Sequence, residues 1–231
     1  MREAVIVSTA RTPIGKAFRG AFNDTQAQEM AGHAIAEAVK RSKVSKEEID
    51  DVIIGAAGQQ GSQQGNIARQ SLLRAGLPVS VAGMSLDRQC ASGMMAIATA
   101  AKEITEDGMT ITVGGGVESV SLVRNENFRM DRARDPWLEE NIPALYMTMI
   151  ETAENVAKRY GISRESQDEY SLQSQMRTAR AQQNGYMDKE IVPLKSTMKY
   201  KDKETGEISS HDVCIEKDEG NRPSTTFEGL S

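Results

Sequence analysis

Short apolar segments alternate with longer amphipathic segments along the first 120 residues. The apolar runs predict buried strands at residues 4–8, 52–54, 81–86 and 109–113, and the first of them is rich in β-branched residues. The longer segments carry apolar residues at helical spacing. They predict helices from an N-cap at Thr25 to about Ser42, from an N-cap at Asn66 to Arg74, and over residues 91–105. Strands that alternate with helices at this spacing predict βαβ crossovers and a mostly parallel sheet.

Beyond residue 121 the pattern changes. Charged residues, two prolines and the only tryptophan precede two predicted helices, at 151–160 and from an N-cap at Ser163 to about Gly185. An extended piece follows at 191–194, and Gly206 marks a predicted hairpin. We therefore predict a boundary near residue 120. A compact α/β core would occupy residues 1–120, and a loop-rich helical part would occupy residues 121–231.

Composition narrows the class of protein. The chain has 231 residues and a net charge of −5, so it lacks the basic field that attracts nucleic acid or an anionic membrane surface. No apolar run approaches the roughly 20 residues of a membrane span. The first residues lead straight into a strand-like run, so we expect no targeting peptide. Two cysteines provide no disulfide framework, and we expect a reducing compartment, the cytoplasm.

One cysteine occupies a chemically favourable position. Cys90 follows a polar turn at residues 87–89 and precedes the predicted helix 91–105, whose small and apolar residues predict burial on most sides. Free N–H groups and the dipole at a helix N-terminus favour a thiolate, the nucleophilic form of the side chain. Arg88 would add positive charge if it points that way. From local chemistry alone, an inert buried cysteine is the alternative, and both interpretations stay open.

Several motifs resemble one enzyme family. The run C-A-S-G-M-M-A at residues 90–96 resembles the C-x-S-G-x-x-A signature around the acyl-accepting cysteine of thiolases. Six further stretches resemble thiolase segments in the same order: R-T-P-I-G-K at 11–16, G-N-I-A-R-Q at 65–70, G-G-V-E-S at 115–119, T-A-E-N-V-A at 152–157, D-K-E-I-V-P at 188–193 and D-E-G-N-R-P at 218–223. Because the matches span essentially the whole chain, the sequence is identified as a member of the thiolase family.

The resemblance implies a fold and a reaction. The fold would be a thiolase-type layered α-β-α arrangement with a mostly parallel sheet and a helical loop domain. Cys90 would accept an acyl group from a coenzyme A thioester, and Claisen condensation or thiolytic cleavage of a 3-ketoacyl-CoA would follow. Met149 would line the acyl or pantetheine pocket, and Arg222 would face the adenine and phosphate end of coenzyme A. The resemblance implies fatty acid metabolism, no tightly bound cofactor, no metal, and a homodimer or tetramer.

The family's other catalytic motifs do not occur in this sequence. These are a G-H-P histidine, an N-E-A-F-A asparagine and a C-x-G cysteine, all from the family's C-terminal half, which also returns to the first sheet to add a strand and a helix. We therefore predict the N-terminal part of a thiolase that needs a second polypeptide carrying that half. The alternative is a non-catalytic assembly or binding subunit that keeps the fold. A decarboxylating ketosynthase-type enzyme is a third, weaker interpretation.

The remaining candidates are interpreted structurally. His33 is expected on a helix face, His211 in a charged loop and Cys214 in a strand-like piece without a catalytic partner. The run Gly114-Gly115-Gly116 lacks dinucleotide-binding spacing and predicts tight backbone packing. Glu118 is expected to fix backbone near the site.

Three positions depart from the family pattern next to the expected acyl pocket. Asp87 replaces a frequent asparagine, Ile150 replaces a glycine, and Thr148 replaces a histidine found in some biosynthetic members. They leave the acyl chain length open.

Overall fold

A computed structural model describes residues 2–231, and the chain divides into two compact units. The first unit runs to Phe128 and also includes Asp188–Gly220; the second contains Arg129–Met187 and Asn221–Ser231. Among the described residues, no helix combines the length and the apolar character that a membrane crossing requires.

The first unit is built on a parallel three-stranded sheet. Its strands are β1 (Asp51–Gly55), β2 (Ala82–Leu86) and β3 (Thr112–Gly116), in the order β2-β1-β3. Its helices are α1 (Ala27–Ser42), α2 (Ile67–Arg74), α3 (Ser92–Thr105) and the short α4 (Val120–Val123). All five residues of β1 are buried, as expected for a central strand that is covered on both faces.

Side chains of β1 alternate between two helical layers. Val52 and Ile54 belong to the cluster that α1 and α2 cover, whereas Ile53 packs with Ala96 and Ala100 of α3. This alternation is the period of two that a pleated strand imposes. The three layers confirm the predicted α/β fold with a parallel sheet.

The predicted strand at residues 4–8 is wrong. Within residues 2–231 this segment has no strand partner, and Val5, Ile6 and Val7 are between 67% and 77% exposed. A cavity of about 920 Å³ is lined by the segment, by apolar residues of α1 and α3, and by β3. Since a strand requires a hydrogen-bonded neighbour, the apolar pattern alone could not form one here.

Two further corrections concern α3 and β3. The prediction that the helix is buried on most sides is wrong, since Met94 is 77% exposed and Ile97 is 47% exposed. The sheet covers only the face that carries Ala96 and Ala100. Strand β3 begins at Thr112, three residues later than predicted. The N–H groups of Thr110 and Ile111 donate hydrogen bonds to the carboxylate of Asp50 instead of to a neighbouring strand.

Helix starts test the predicted caps. Asn66 caps α2, and its side chain accepts a hydrogen bond from the N–H of Arg69 at 3.0 Å. The predicted cap at Thr25 is wrong, because α1 begins after Gln26 without a side-chain cap. The hydroxyl of Thr25 instead hydrogen-bonds to that of Ser196 at 2.5 Å.

A β-hairpin completes the first unit. Strands β4 (Leu194–Lys201) and β5 (Ile208–Ile215) pair antiparallel, and Gly206 in the connecting turn has a φ of +75°. Leu194 packs against Phe22 and Met30. The hairpin therefore groups with the first unit by contact. The predicted division into residues 1–120 and 121–231 stays a prediction.

The second unit is helical. It contains α5 (Pro136–Asn141), α6 (Met149–Tyr160) and α7 (Arg164–Gln183). Thr148 and Glu151 form a reciprocal capping box at α6, and Ser163 caps α7 as predicted. No residue of α6 is buried, and Asp168 is the only buried residue of α7.

Candidate active site

The thiol of Cys90 is exposed at the turn that joins β2 to α3. The N-cap of α3 is Ala91 and its first helical residue is Ser92, so Cys90 immediately precedes the cap. The first N–H groups of a helix lack intrahelical partners and carry partial positive charge. Cys90 therefore lies at the predicted helix start and is open to solvent.

Two side chains fix the peptide groups of this turn. Asp87 accepts a hydrogen bond from the N–H of Gln89 at 2.7 Å. The hydroxyl of Ser92 accepts one from the N–H of Arg88 at 2.8 Å and donates to the carbonyl of Gln89 at 2.6 Å. Gln89 has a φ of +49°, a left-handed conformation that costs a non-glycine residue about 1 kcal/mol. The Ser92 hydroxyl, which is buried, holds this strained turn in place.

Glycines allow the start of α3 to touch the strand ends. A Cβ atom at Gly55 would lie 2.1 Å from the carbonyl carbon of Ser92. One at Gly116 would lie 2.9 Å from the Cα atom of Gly93, and one at Gly114 would lie 2.8 Å from that of Ile97. Only hydrogen fits at these distances. The predicted packing role of the glycine run is therefore confirmed, and it anchors the helix that follows Cys90.

Glu118 organises a neighbouring loop. Its carboxylate accepts hydrogen bonds from the N–H of Ala57 at 2.9 Å and from the side-chain amide of Gln63 at 2.8 Å. The buried Gln63 amide also donates to the carbonyl of Gly58 at 2.8 Å. These contacts confirm the predicted structural role of Glu118.

Ser85 of β2 was missed by sequence reasoning. Its hydroxyl accepts a hydrogen bond from the N–H of Ala68 and donates to Asn66, both at 3.0 Å. The amide of Asn66 donates to the carbonyl of Gly83 at 2.8 Å. These bonds tie the start of α2 to the strand that leads to Cys90. No local pattern predicts them, because they join residues 17 or more positions apart.

An ion-pair cluster joins three segments of the first unit. Arg11 contacts Glu190 through Nε and Asp218 through Nη1, each at 2.7 Å, and Asp218 also accepts from the N–H of Ile14 at 2.8 Å. The hydrogen bond that Arg11 donates to the carboxylate of Asp218 raises the pKa of Arg11. Burial raises the pKa of Asp218, but the hydrogen bonds from Arg11 and Ile14 outweigh it and leave the pKa below its usual value. The segment that precedes Arg222 is thus fixed at Asp218.

Comparisons with known proteins agree with this geometry. The thiolase N-terminal domain family model matches residues 4–231. The chain belongs to the thiolase N-terminal domain family. It is 39% identical to a 3-ketoacyl-CoA thiolase of Bacillus subtilis (strain 168) and 37% identical to a β-ketoadipyl-CoA thiolase of Acinetobacter baylyi. These alignments include the whole of this chain and only 58% and 59% of the two relatives, so the chain spans about three fifths of their length.

The thiolase domain carries its other two predicted site residues in the second unit. Met149 is the first residue of α6 and is 72% exposed. Arg222 is exposed, and it forms no ion pair with any residue in the described range 2–231. Its backbone N–H donates to Oε1 of Gln175 at 2.7 Å. Cys90 belongs to the first unit, so the predicted site residues are divided between the two units.

The remaining titratable candidates of the thiolase domain are engaged elsewhere. Nε2 of His33 lies 3.0 Å from the carbonyl oxygen of Pro193, and Nε2 of His211 lies 2.9 Å from the hydroxyl of Ser209. Cys214 is exposed in β5 opposite Lys195. Among residues 2–231, no group of three or more histidine, cysteine, aspartate or glutamate side chains is arranged to hold a metal ion.

Proposed function

We propose that this chain is the nucleophile-bearing part of a thiolase that acts on a 3-ketoacyl-CoA. The observation that supports this most directly is the exposed thiol of Cys90 at the start of α3, on a strained turn that the buried Ser92 hydroxyl holds. Strain at such a turn is typical of functional sites. The names of the relatives indicate the substrate class, a 3-ketoacyl thioester of coenzyme A.

The proposed chemistry begins at the sulfur of Cys90. In cleavage the thiolate attacks the 3-keto carbon of the 3-ketoacyl-CoA, and in condensation it attacks the thioester carbonyl of an acyl-CoA; each attack forms a new carbon–sulfur bond through a tetrahedral intermediate. N–H groups at the helix start stabilise the oxyanion of that intermediate. In cleavage the C2–C3 bond breaks and the acetyl-CoA carbanion takes up a proton; in condensation the carbon–sulfur bond to coenzyme A breaks and the coenzyme A thiolate takes up a proton. In both cases the enzyme keeps the acyl group as a thioester. The acyl group then passes to coenzyme A in thiolysis, or to a carbon nucleophile in condensation, which requires a base.

We also propose that a polypeptide equivalent to the rest of the relatives completes this domain. Three features support such a partner. The outer edge of β3 is unpaired among the described residues, a cavity of about 920 Å³ separates it from the apolar N-terminal segment, and one apolar face of α3 is exposed. An added strand would satisfy the edge, and an added helix would cover Met94 and Ile97.

Substrate contacts complete the proposal. We assign Met149 to the acyl or pantetheine part of the substrate and Arg222 to the adenine and phosphate end. A guanidinium suits both phosphate and the face of a purine, and that of Arg222 is exposed. In this assignment residues 1–120 supply the nucleophile, and residues 121–231 bind coenzyme A. We further propose that the complete enzyme is a homodimer or tetramer and acts in fatty acid metabolism. We also propose a cytoplasmic location, because both cysteines are free, as in a reducing compartment.

Co-expression tests the proposal. The chain would be combined with the C-terminal two fifths of the Bacillus subtilis relative and incubated with acetyl-CoA. We expect co-purification, an acetyl adduct on Cys90 by mass spectrometry, and release of acetoacetyl-CoA. Cys90→Ser should abolish both products, whereas the matched variant Cys214→Ser should keep them. A complex that forms but leaves Cys90 unmodified would contradict the catalytic assignment.

That last outcome would favour a non-catalytic binding or assembly subunit. One observation favours this second candidate: in residues 2–231, neither histidine side chain hydrogen-bonds to Cys90, because His33 contacts Pro193 and His211 contacts Ser209. The two candidates differ in acyl transfer and share complex formation, so the co-expression experiment separates them.

A further inference from the structure

One glutamine of α7 holds the backbone next to Arg222. Oε1 of Gln175 accepts hydrogen bonds from the N–H of Arg222 at 2.7 Å and from the side-chain amide of Asn221 at 3.0 Å. The same amide donates to the backbone carbonyl of Gln175 at 2.9 Å. Gln175 and Asn221 are both half-buried. Three hydrogen bonds, each 3.0 Å or shorter, therefore fix Asn221 and the peptide group that joins it to Arg222.

The carbonyl of Arg222 is fixed as well. It accepts hydrogen bonds from the N–H of Thr225 at 3.1 Å and from its hydroxyl at 2.7 Å. Pro223 follows directly, and its ring restricts the backbone further. Both peptide groups of Arg222 are thus held, whereas its side chain extends into solvent without an ion pair among the described residues. A guanidinium on a fixed Cα atom loses less entropy when it binds an anion.

We propose that Gln175 is a positioning residue that presents the Arg222 guanidinium to the nucleotide end of coenzyme A. The inference rests on the proposed function, which assigns Arg222 to that contact. A second glutamine of α7 makes a contact within its own helix: the side-chain oxygen of Gln173 accepts a hydrogen bond from Arg177 at 3.0 Å. Gln175 instead directs its side-chain oxygen to residues 221 and 222, which lie 46 and 47 positions away.

A double-mutant cycle with coenzyme A as the probe tests this inference by calorimetry. Gln175→Met keeps the size of the side chain and removes the acceptor, and Gln173→Met on the same helix is the matched control. We expect Arg222→Met and Gln175→Met each to weaken binding, the latter about tenfold. In the Arg222→Met background, Gln175→Met should have no further effect. Unchanged affinity in Gln175→Met, or a full effect that persists without Arg222, would overturn the inference.

Amide hydrogen exchange without coenzyme A supplies a second readout. Gln175→Met should accelerate exchange of the Arg222 amide at least tenfold, because its acceptor is gone, and Gln175→Glu should restore protection. Equal protection in Gln175→Met and in the unmodified chain would overturn the inference whatever the affinities are. If Arg222→Met binds coenzyme A normally, the nucleotide assignment of the proposed function fails and the inference fails with it. If only Gln175→Met is silent, the inference alone fails.

Discussion

The two units of this chain are stabilised in different ways. In the first unit every residue of β1 is buried, and helices cover both of its faces. In the second unit α6 has no buried residue and α7 has one, Asp168. Its helices are instead well capped, by Thr148 with Glu151 and by Ser163. A cap contributes about 1 kcal/mol, less than one fully buried isoleucine.

This difference matches the two roles proposed for the units. A nucleophile must be held in a fixed geometry, and Cys90 lies on a turn that glycine contacts join to the buried sheet. The second unit exposes large apolar side chains on helices that have almost no buried residue, including Met149, Ile150 and Tyr160, each at least 71% exposed. Patches of this kind mark surfaces that bind a ligand or another polypeptide. We infer that the buried sheet gives the first unit more stability of its own than the second unit has, although an added polypeptide would still cover the open edge of β3.

The largest expected effect comes from Gly55. In Gly55→Ala the new methyl group would lie 2.1 Å from the carbonyl carbon of Ser92, so strand and helix must separate. We expect a loss of more than about 4 kcal/mol in the free energy of unfolding, measured by urea titration. The control is Gly220→Ala, because no atom of the described residues lies within 4 Å of a Cβ atom there. Similar stability of the two variants would show that α3 does not pack on the sheet as described.

The second largest effect is a difference in stability between two isoleucine substitutions, one in each unit. Ile53 is fully buried in β1, whereas Ile150 of α6 is 77% exposed. Ile53→Ala should lower the free energy of unfolding by about 3 kcal/mol, and Ile150→Ala should change it by less than about 0.5 kcal/mol. Urea titration followed by circular dichroism measures both. A cost for Ile150→Ala that approaches that of Ile53→Ala would mean that α6 already has a covered apolar face.

The smallest effect concerns two buried acids of the first unit. Glu103 is 8% exposed and Asp51 is 9% exposed, and Oε2 of Glu103 has no hydrogen-bond partner in the described part of the chain. Burial raises the pKa of Glu103, and the charges of Asp51 and Asp107 raise it further. Burial is also the main reason that the pKa of Asp51 is raised. The folded chain therefore binds these protons more tightly than the unfolded chain.

The sign of the pH dependence follows from this. The raised pKa of Glu103 contributes to the free energy of unfolding. This contribution is complete below the unfolded pKa of a glutamate, about 4.3, and it is lost as pH rises through the higher pKa of Glu103 in the folded chain. Glu103→Gln should thus be more stable than the parent chain at pH 8, by less than about 1 kcal/mol, and equally stable at pH 4. Thermal unfolding at both pH values measures the difference. Glu106→Gln, at an exposed position, is the control; the same shift in both variants would refute the effect of burial.

Local pattern explains which parts of the fold could be predicted. Strand β1 differs from its prediction by one residue at each end, and α3 by one residue at its start, because these segments carry their own periodicity. The exposed residues 4–8 show where this fails. Their apolar pattern is typical of a strand, yet a strand also needs a neighbour, and its identity lies outside the segment.

The candidate site likewise has features that the sequence predicts and features that it does not. The position of Cys90 before a helix follows from local pattern and from the resemblance to thiolases. The left-handed Gln89 does not, since glutamine is not a residue that favours a positive φ. The contact of Arg11 with Asp218 joins residues 207 positions apart, and no spacing rule connects them. Both stretches resembled thiolase segments, but only the structure shows that they meet.

Alkylation of the two cysteines by iodoacetamide tests the central proposal, an activated Cys90, most directly. Both thiols are exposed, so access does not separate them. Near pH 7 we expect Cys90 to react about tenfold faster than Cys214, because only Cys90 lies at a helix N-terminus. Ser92→Ala should slow Cys90 and leave Cys214 unchanged. Equal rates for the two cysteines, unaffected by Ser92→Ala, would contradict the proposal that this turn activates a nucleophile.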